Sequence, residues 1–237
     1  MKRLLAATIS MIIVLFLLAA PAFGQVSKDG ELNFFFGAAR HTGNDFQIGP
    51  PQSPTPVGAN FRFTHALLGG IRFNVVNNGH WGQEFFYSYE QNTGHYRRND
   101  QLNEANLPMQ LHRLGVTGLY YISDDEEAKT RPFVSFGIGA NIYKPTQEAK
   151  NNANNPALGN LPGFGQANEL SFHYGFGFKQ RLTRAVGFRM DVRHFIGRYP
   201  SFSMSKKSSD PFSPVFPANG AIHTLEASGG FVFYFGR

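Results

Sequence analysis

The chain has no cysteine among its 237 residues. That excludes disulfides and thiolate metal sites, and it excludes the lipid-anchored class, which needs a cysteine just after the leader. Charge is also scarce, at 16% of residues. No basic run is longer than a pair, so nucleic acid is not an expected partner. Beyond the first two dozen residues there is no stretch of about 18 consecutive apolar residues, which excludes a transmembrane helix there. A mean hydropathy of −0.26 still leaves room for a membrane barrel, because only alternate residues of its strands face lipid.

What is present begins with a leader. Lys2 and Arg3 give a positive start, Leu4 to Ala20 are apolar apart from Thr8 and Ser10, and Pro21-Ala22-Phe23-Gly24-Gln25 follows. Small residues at Ala22 and Gly24 suit a signal peptidase cutting before Gln25. The expected division is a cleaved signal peptide over 1–24 and one domain over 25–237. Two of the positive charges in the net +6 fall in the leader, so the mature chain is only mildly basic.

The rest is rich in aromatics and glycine, with 25 Phe, 9 Tyr and 26 Gly. Hydrophobic residues alternate with polar or small ones at the period of a strand. Leu170, Phe172, Tyr174, Phe176 and Phe178 share one face, with Ser171, His173, Gly175, Gly177 and Lys179 on the other. The same alternation runs through 134–142, 186–193 and 224–235, and more weakly through 31–41, 62–76, 81–92 and 108–122. Eight strands result, each long enough for the roughly 9–11 tilted residues that cross a bilayer.

The connections run through 42–61, 77–80, 93–107, 123–130, 144–168, 182–184 and 198–221, alternately long and short. The short ones carry turn chemistry: Asn77-Asn78-Gly79, Ser123-Asp124-Asp125 and Thr183-Arg184. The long ones are polar, with Pro-rich 50–56, Asn151 to Asn155, and Pro/Ser-rich 200–217. Short periplasmic turns and long outer loops predict this sorting. The expected fold is all-β, an eight-stranded antiparallel up-and-down transmembrane β-barrel.

Parity then assigns faces. Charges cannot face acyl chains cheaply, so Glu31, Arg72, Glu84, Glu90, Arg113, Lys179, Arg189, Asp191, Arg193 and Glu226 are expected inside. These are five acids and five bases, a set that can neutralise itself by pairing. Arg189, Asp191 and Arg193 are expected opposite partners on neighbouring strands such as Glu226. A narrow eight-stranded barrel is filled by side chains rather than open. Trp81, Tyr87 and Tyr89, and the cluster Tyr120, Tyr121, Phe133 and Tyr143 at strand ends, are expected in headgroup-level aromatic girdles.

The strand pairs HRLGVTGLYYI…RPFVSFGIGANIY and ELSFHYGFGFKQRLTRAVGFRMDVRHFIG, with the closing strand HTLEASGGFVFYFGR, resemble the small outer-membrane barrels of the OmpA/OmpX/opacity type over essentially the whole mature length. The resemblance implies residence in the cell outer membrane and the barrel fold, without a separate peptidoglycan-binding domain. The chain departs from the family pattern at its end, where Phe235 is followed by Gly236 and Arg237 rather than closing on an aromatic.

An enzyme is not expected. The lipid A deacylases of this size class use His-x-Ser-Asn near a late strand, and the nearest segment, His194-Phe195-Ile196-Gly197, lacks both Ser and Asn. The eight histidines are scattered without metal-ligand spacing, so no cofactor or metal is expected. What remains is a monomer with a loop-mediated surface or structural role, in contact with outer-membrane lipid and lipopolysaccharide. The loops 42–61, 93–107, 144–168 and 198–221 would meet any surface ligand. Their charges are Arg97, Arg98, Lys144, Lys150, Arg198, Lys206 and Lys207 against Asp45, Asp100, Glu104, Glu148 and Asp210, an excess suited to lipid phosphates. The alternative is a lipid-modifying enzyme or a narrow transport barrel.

The mature protein should begin at Gln25. Intact-mass measurement of the native membrane protein checks this, and a mass that retains residues 1–24 refutes it.

Overall fold

The computed structural model describes residues 29–48, 57–98, 103–125, 128–205, 216 and 219–235. The leader, the Pro-rich stretch 50–56, and Asp100, Lys206, Lys207 and Asp210 of the loops lie outside the described residues. Among the described residues ten strands follow one another: β1 (Asp29–His41), β2 (Asn44–Ile48), β3 (Val57–Phe63), β4 (Ala66–Asn78), β5 (Trp81–Arg98), β6 (Glu104–Tyr121), β7 (Thr130–Pro145), β8 (Ala167–Arg181), β9 (Val186–Arg198) and β10 (Ala221–Phe235). A helix, α1 (Gln147–Asn154), stands between β7 and β8.

Eight of the strands close on themselves. β1 pairs with β10 and β4, β4 with β5, β5 with β6, and so on antiparallel through β7, β8 and β9 back to β10. Closure leaves no unpaired edge in the wall, which a sheet bathed in lipid requires. The alternation seen in the sequence fixes which side each residue takes. Phe136, Phe176, Phe231 and Phe233 are among the large apolar side chains that face outward and exposed, while Ser135, His173, Arg189 and Ser228 are buried inside. Inward glycines make room in so narrow a lumen: a Cβ on Gly177 would lie 2.7 Å from the Phe133 ring, and one on Gly137 the same distance from the His173 ring.

Three long connections hold regular structure that the sequence pattern does not announce. β2 and β3 lie within 42–61 and pair with each other. The β1–β4 ladder stops at Ala39↔Ala66 and resumes at Asn44↔Phe61 in the same register, so β2 and β3 prolong β1 and β4 past a four-residue interruption. The expected strand over 62–76 is therefore divided at Thr64-His65. Thr64 ties that break to β5 instead, its amide donating to Thr93 O and its hydroxyl to Asn92 Oδ1. Most of 93–107 is also strand, because β5 and β6 stay paired out to Arg97↔Glu104. Tyr96, Leu107 and Met109 bury their inward faces there, and the polar residues between them mask the period. Within 144–168, Thr146 caps α1 by accepting the Ala149 amide, while Ala149 and Ala153 are buried beneath it.

The short turns match expectation. Gly79, at φ +23°, turns β4 into β5 in a conformation that favours glycine. Trp81 and Tyr120 project beside it, exposed and edge to face with ring centroids 5.0 Å apart. Tyr121, Phe133 and Tyr143 are corrected: each is buried and points inward rather than joining a girdle. Their parity is that of Leu119, Arg131 and Asn141, and the inward face near each end needs large side chains to fill it.

If Phe136 and Phe176 face lipid, replacing either with Arg should cost about 2–4 kcal/mol near mid-bilayer. Single cysteine labels at 136 and 176 should be quenched by acyl-chain quenchers, and labels at 137 and 177 should not. Equal quenching at 136 and 137 would refute the face assignment.

Candidate functional site: the barrel interior

All ten inward charges expected from parity are buried, none more than 4% exposed. Their strongest links run across the lumen as well as along the wall. Glu84 on β5 receives Arg189 at 2.5 Å and Arg193 at 2.6 Å, both from β9. β5 and β9 are four strands apart whichever way the wall is followed, so these bonds span the full width. Glu226 on β10 receives Arg113 from β6, again diametrically opposite, at 2.8 Å, and Arg72 from β4 at 3.3 Å. Asp191 gathers Arg189 at 2.8 Å, Arg72 and Arg193 both at 3.2 Å, and the Ser228 hydroxyl at 2.8 Å.

The expectation that Glu226 would serve the β9 charges is corrected. Glu226 lies directly opposite Arg193 in the ladder, but its carboxylate turns to Arg72 and Arg113. In a lumen this narrow an arginine reaches the far wall as readily as its neighbour. Guanidinium groups are also braced by inward rings: Arg72 lies 3.6 Å from the Phe35 centroid, Arg113 4.2 Å from Phe195, and Arg189 4.6 Å from Phe133. Parity places these phenylalanines with the charges, but the composition of the chain directs attention to the outward ones.

Two further groups flank this centre. Toward the short-turn end, Lys179 on β8 bonds Glu31 on β1 and, at 2.5 Å, the Tyr121 hydroxyl. Asn74 donates to the same carboxylate at 2.7 Å. Toward the long-loop end, His41 bridges Thr224 at 2.8 Å and Glu90 at 2.6 Å, and Asn92 donates to the same Glu90 oxygen at 2.6 Å. A hydroxyl, an imidazole and a carboxylate stand in line here, and all three residues are buried. His173, also fully buried, meets the Thr117 hydroxyl at 2.9 Å between Phe86 and Phe195.

Above the charges the lumen turns apolar. Phe61, Phe63, Tyr96, Leu107, Met109 and Leu111 point inward from the prolonged strands and join Ala149, Leu161, Phe164, Tyr199, Phe202 and Phe216 from the helix and loops in one buried cluster. Phe164 stacks on Phe202 at 4.4 Å, and Phe61 meets Phe216 at right angles, 5.6 Å apart. Tyr199 donates its hydroxyl to Phe61 O at 3.1 Å, and burial holds its phenol above the ordinary tyrosine range. This apolar cap was not legible in the sequence, because Tyr199, Phe202 and Phe216 sit in irregular, Pro/Ser-rich chain without a period. Of the expected loop charges, Arg97, Arg198 and Lys144 are exposed at this end, and Glu104 pairs with His95 at 2.5 Å.

The architecture is that of the small, closed outer-membrane barrels. The crystal structure of the outer membrane protein OprG from Pseudomonas aeruginosa superposes with a TM-score of 0.54 at 13% identity, over 87% of this chain and 95% of that one. The N-terminal barrel domain of Pseudomonas aeruginosa OprF and the Neisserial surface protein NspA each give 0.45, at 12% and 11% identity, over 88% of this chain and 98% of theirs. These likenesses concern the fold. No protein-family model and no curated protein matches the sequence.

Removing one member of a buried ion network strands the others uncompensated, at about 3–5 kcal/mol. Asp191→Ala should therefore lower the unfolding midpoint in urea clearly, whereas Glu148→Ala on exposed α1 should leave it unchanged. Equal midpoints for the two variants would contradict the network.

Proposed function

We propose that this protein is a closed outer-membrane barrel that acts through the surface it presents, as a structural or interaction protein, and does not conduct solutes as a porin does. The observation that carries this reading is the set of ion pairs joining β5 to β9 and β6 to β10 across the lumen. A water-filled path along the axis would have to separate those charges, and each separation exposes partners whose desolvation has already been compensated in the closed state. The apolar cap supports the same reading, since it closes the long-loop end with packed rings.

A catalytic role is not part of the proposal. The Thr224–His41–Glu90 chain has a nucleophile, a base and a carboxylate in sequence, but hydrolysis needs a site beside the hydroxyl for the reacting carbonyl and donors for its oxyanion. Thr224 is 2% exposed, and packed cap residues lie beyond it. The chain serves instead to keep Glu90 compensated where the polar lumen meets the apolar cap. Lipopolysaccharide and outer-leaflet lipid are the proposed partners of the wall and loops, through exposed Arg40, Arg62, Arg97 and Arg198 around the long-loop end. The proposed working form is a monomer.

The purified mature barrel in planar bilayers should show no steady conductance, and lipid A extracted from cells overproducing it should keep its mass. A steady open level would overturn the closed-barrel reading. A changed lipid A mass, lost on Thr224→Val, would make it an enzyme.

A further inference from the structure

On the outer wall, away from the lumen, two histidines 29 residues apart in sequence meet. His194 on β9 and His223 on β10 both point outward, partly exposed, as diagonal cross-strand neighbours: Leu225 stands opposite His194, and His223 lies two residues beyond it. Their rings approach through nitrogens, with His223 Nδ1 and His194 Nε2 3.1 Å apart. The other nitrogen of His194, Nδ1, meets the Tyr174 hydroxyl on β8 at 2.9 Å. The His223 amide donates to Thr42 Oγ1 at 3.0 Å, pinning that end of β10 to the start of the long loop. The pair lies just above the outward apolar stripe of β10, which runs from Leu225 down to Phe235.

We propose that His194 and His223 form a two-nitrogen binding site for a borderline divalent transition-metal ion, copper(II) foremost, on the outer wall at the long-loop side. Two imidazole nitrogens that share a cation at about 2.0–2.1 Å each, with an angle near 100° between the bonds, stand about 3.1 Å apart. The wall already holds them at that spacing; binding turns each ring off the N···N line until both nitrogens face the ion, and the bridging proton moves to the second nitrogen of its own ring. Tyr174 supplies what metal-bound histidines usually have, a partner on the second ring nitrogen that fixes ring orientation and tautomer. Water or lipid phosphate oxygens would complete the coordination. Arg40, exposed on β1 across from Leu225, places a positive charge nearby. That repulsion acts on every divalent ion alike, so the choice rests on the ligands: imidazole holds copper(II) most strongly in the Irving–Williams order, with nickel and zinc behind it. The histidines are too far apart in sequence to form a ligand motif. Only the pairing of β9 with β10 joins them.

The test is copper(II) titration of the purified mature barrel in detergent, read by paramagnetic resonance. One equivalent should bind with hyperfine lines from two nitrogens. His194→Gln and His223→Gln should each raise the dissociation constant at least tenfold and remove the two-nitrogen signature. Tyr174→Phe, which keeps both ligands, should raise it about tenfold. His112→Gln is the control, because it breaks a separate outward pair, Tyr87 with His112 at 2.8 Å, and should change nothing. Circular dichroism establishes that each variant is folded. Should one histidine variant fail to fold, the other and the wild-type spectrum still decide. A wild-type spectrum without two nitrogens, or copper binding that survives in the His194→Gln/His223→Gln double variant, would overturn the site.

Discussion

A barrel in lipid has only one place for charge, and the rest of this structure follows from having to fill that place neutrally. The outward face must be apolar over the height of the hydrocarbon layer, so the ionisable residues at that depth are forced inward, and outward ones such as Arg40, His194 and His223 stand toward the strand ends. With eight strands the interior is too narrow for bulk water to solvate them. Acids and bases therefore have to compensate one another. Glu84 and Glu226 do so by drawing arginines from the far wall, Asp191 by gathering Arg189 and Arg193 of its own strand and Arg72 from β4, and the cross-lumen pairs become struts.

The struts explain features that look unrelated along the chain. Inward glycines such as Gly137 and Gly177 are small because the His173 and Phe133 rings and the facing strand occupy the space beside them. Phe35, Phe133 and Phe195 lie over guanidinium faces inside the lumen. His41, Glu90 and Thr224 mark where charge gives way to the apolar cap, and the imidazole keeps the Glu90 carboxylate paired at that boundary. The long loops are in part the lid of the interior, since Tyr199, Phe202 and Phe216 bury their rings in it.

Much of this was legible in the sequence. Period two is a property of a single strand, so the side taken by Arg189, Asp191, Arg193 or Phe176 can be read without knowing what the strand pairs with. Loop length is likewise local, and its alternation indicated an up-and-down wall. Parity failed to guide the placement of Tyr121, Phe133 and Tyr143 only where aromatic character at a strand end was given more weight than the face it occupies.

Partner choice was settled by tertiary structure alone. Which carboxylate meets which guanidinium across a lumen depends on strand number, tilt and stagger, quantities of the closed wall that no single segment contains. Glu226 could be assigned to the interior from the sequence, but its preference for Arg72 and Arg113 over Arg193 appears only after closure brings β4 and β6 within reach. The cap is decided in the same way. Its rings come from chain without periodicity, and their burial depends on the prolonged strands β2, β3, β5 and β6 standing around them. The sequence by itself determined the fold, the faces and the charge balance, because each is written in local alternation. The pairs, the lid and the meeting of His194 with His223 were decided by distance through space, which the order of residues along the chain does not encode.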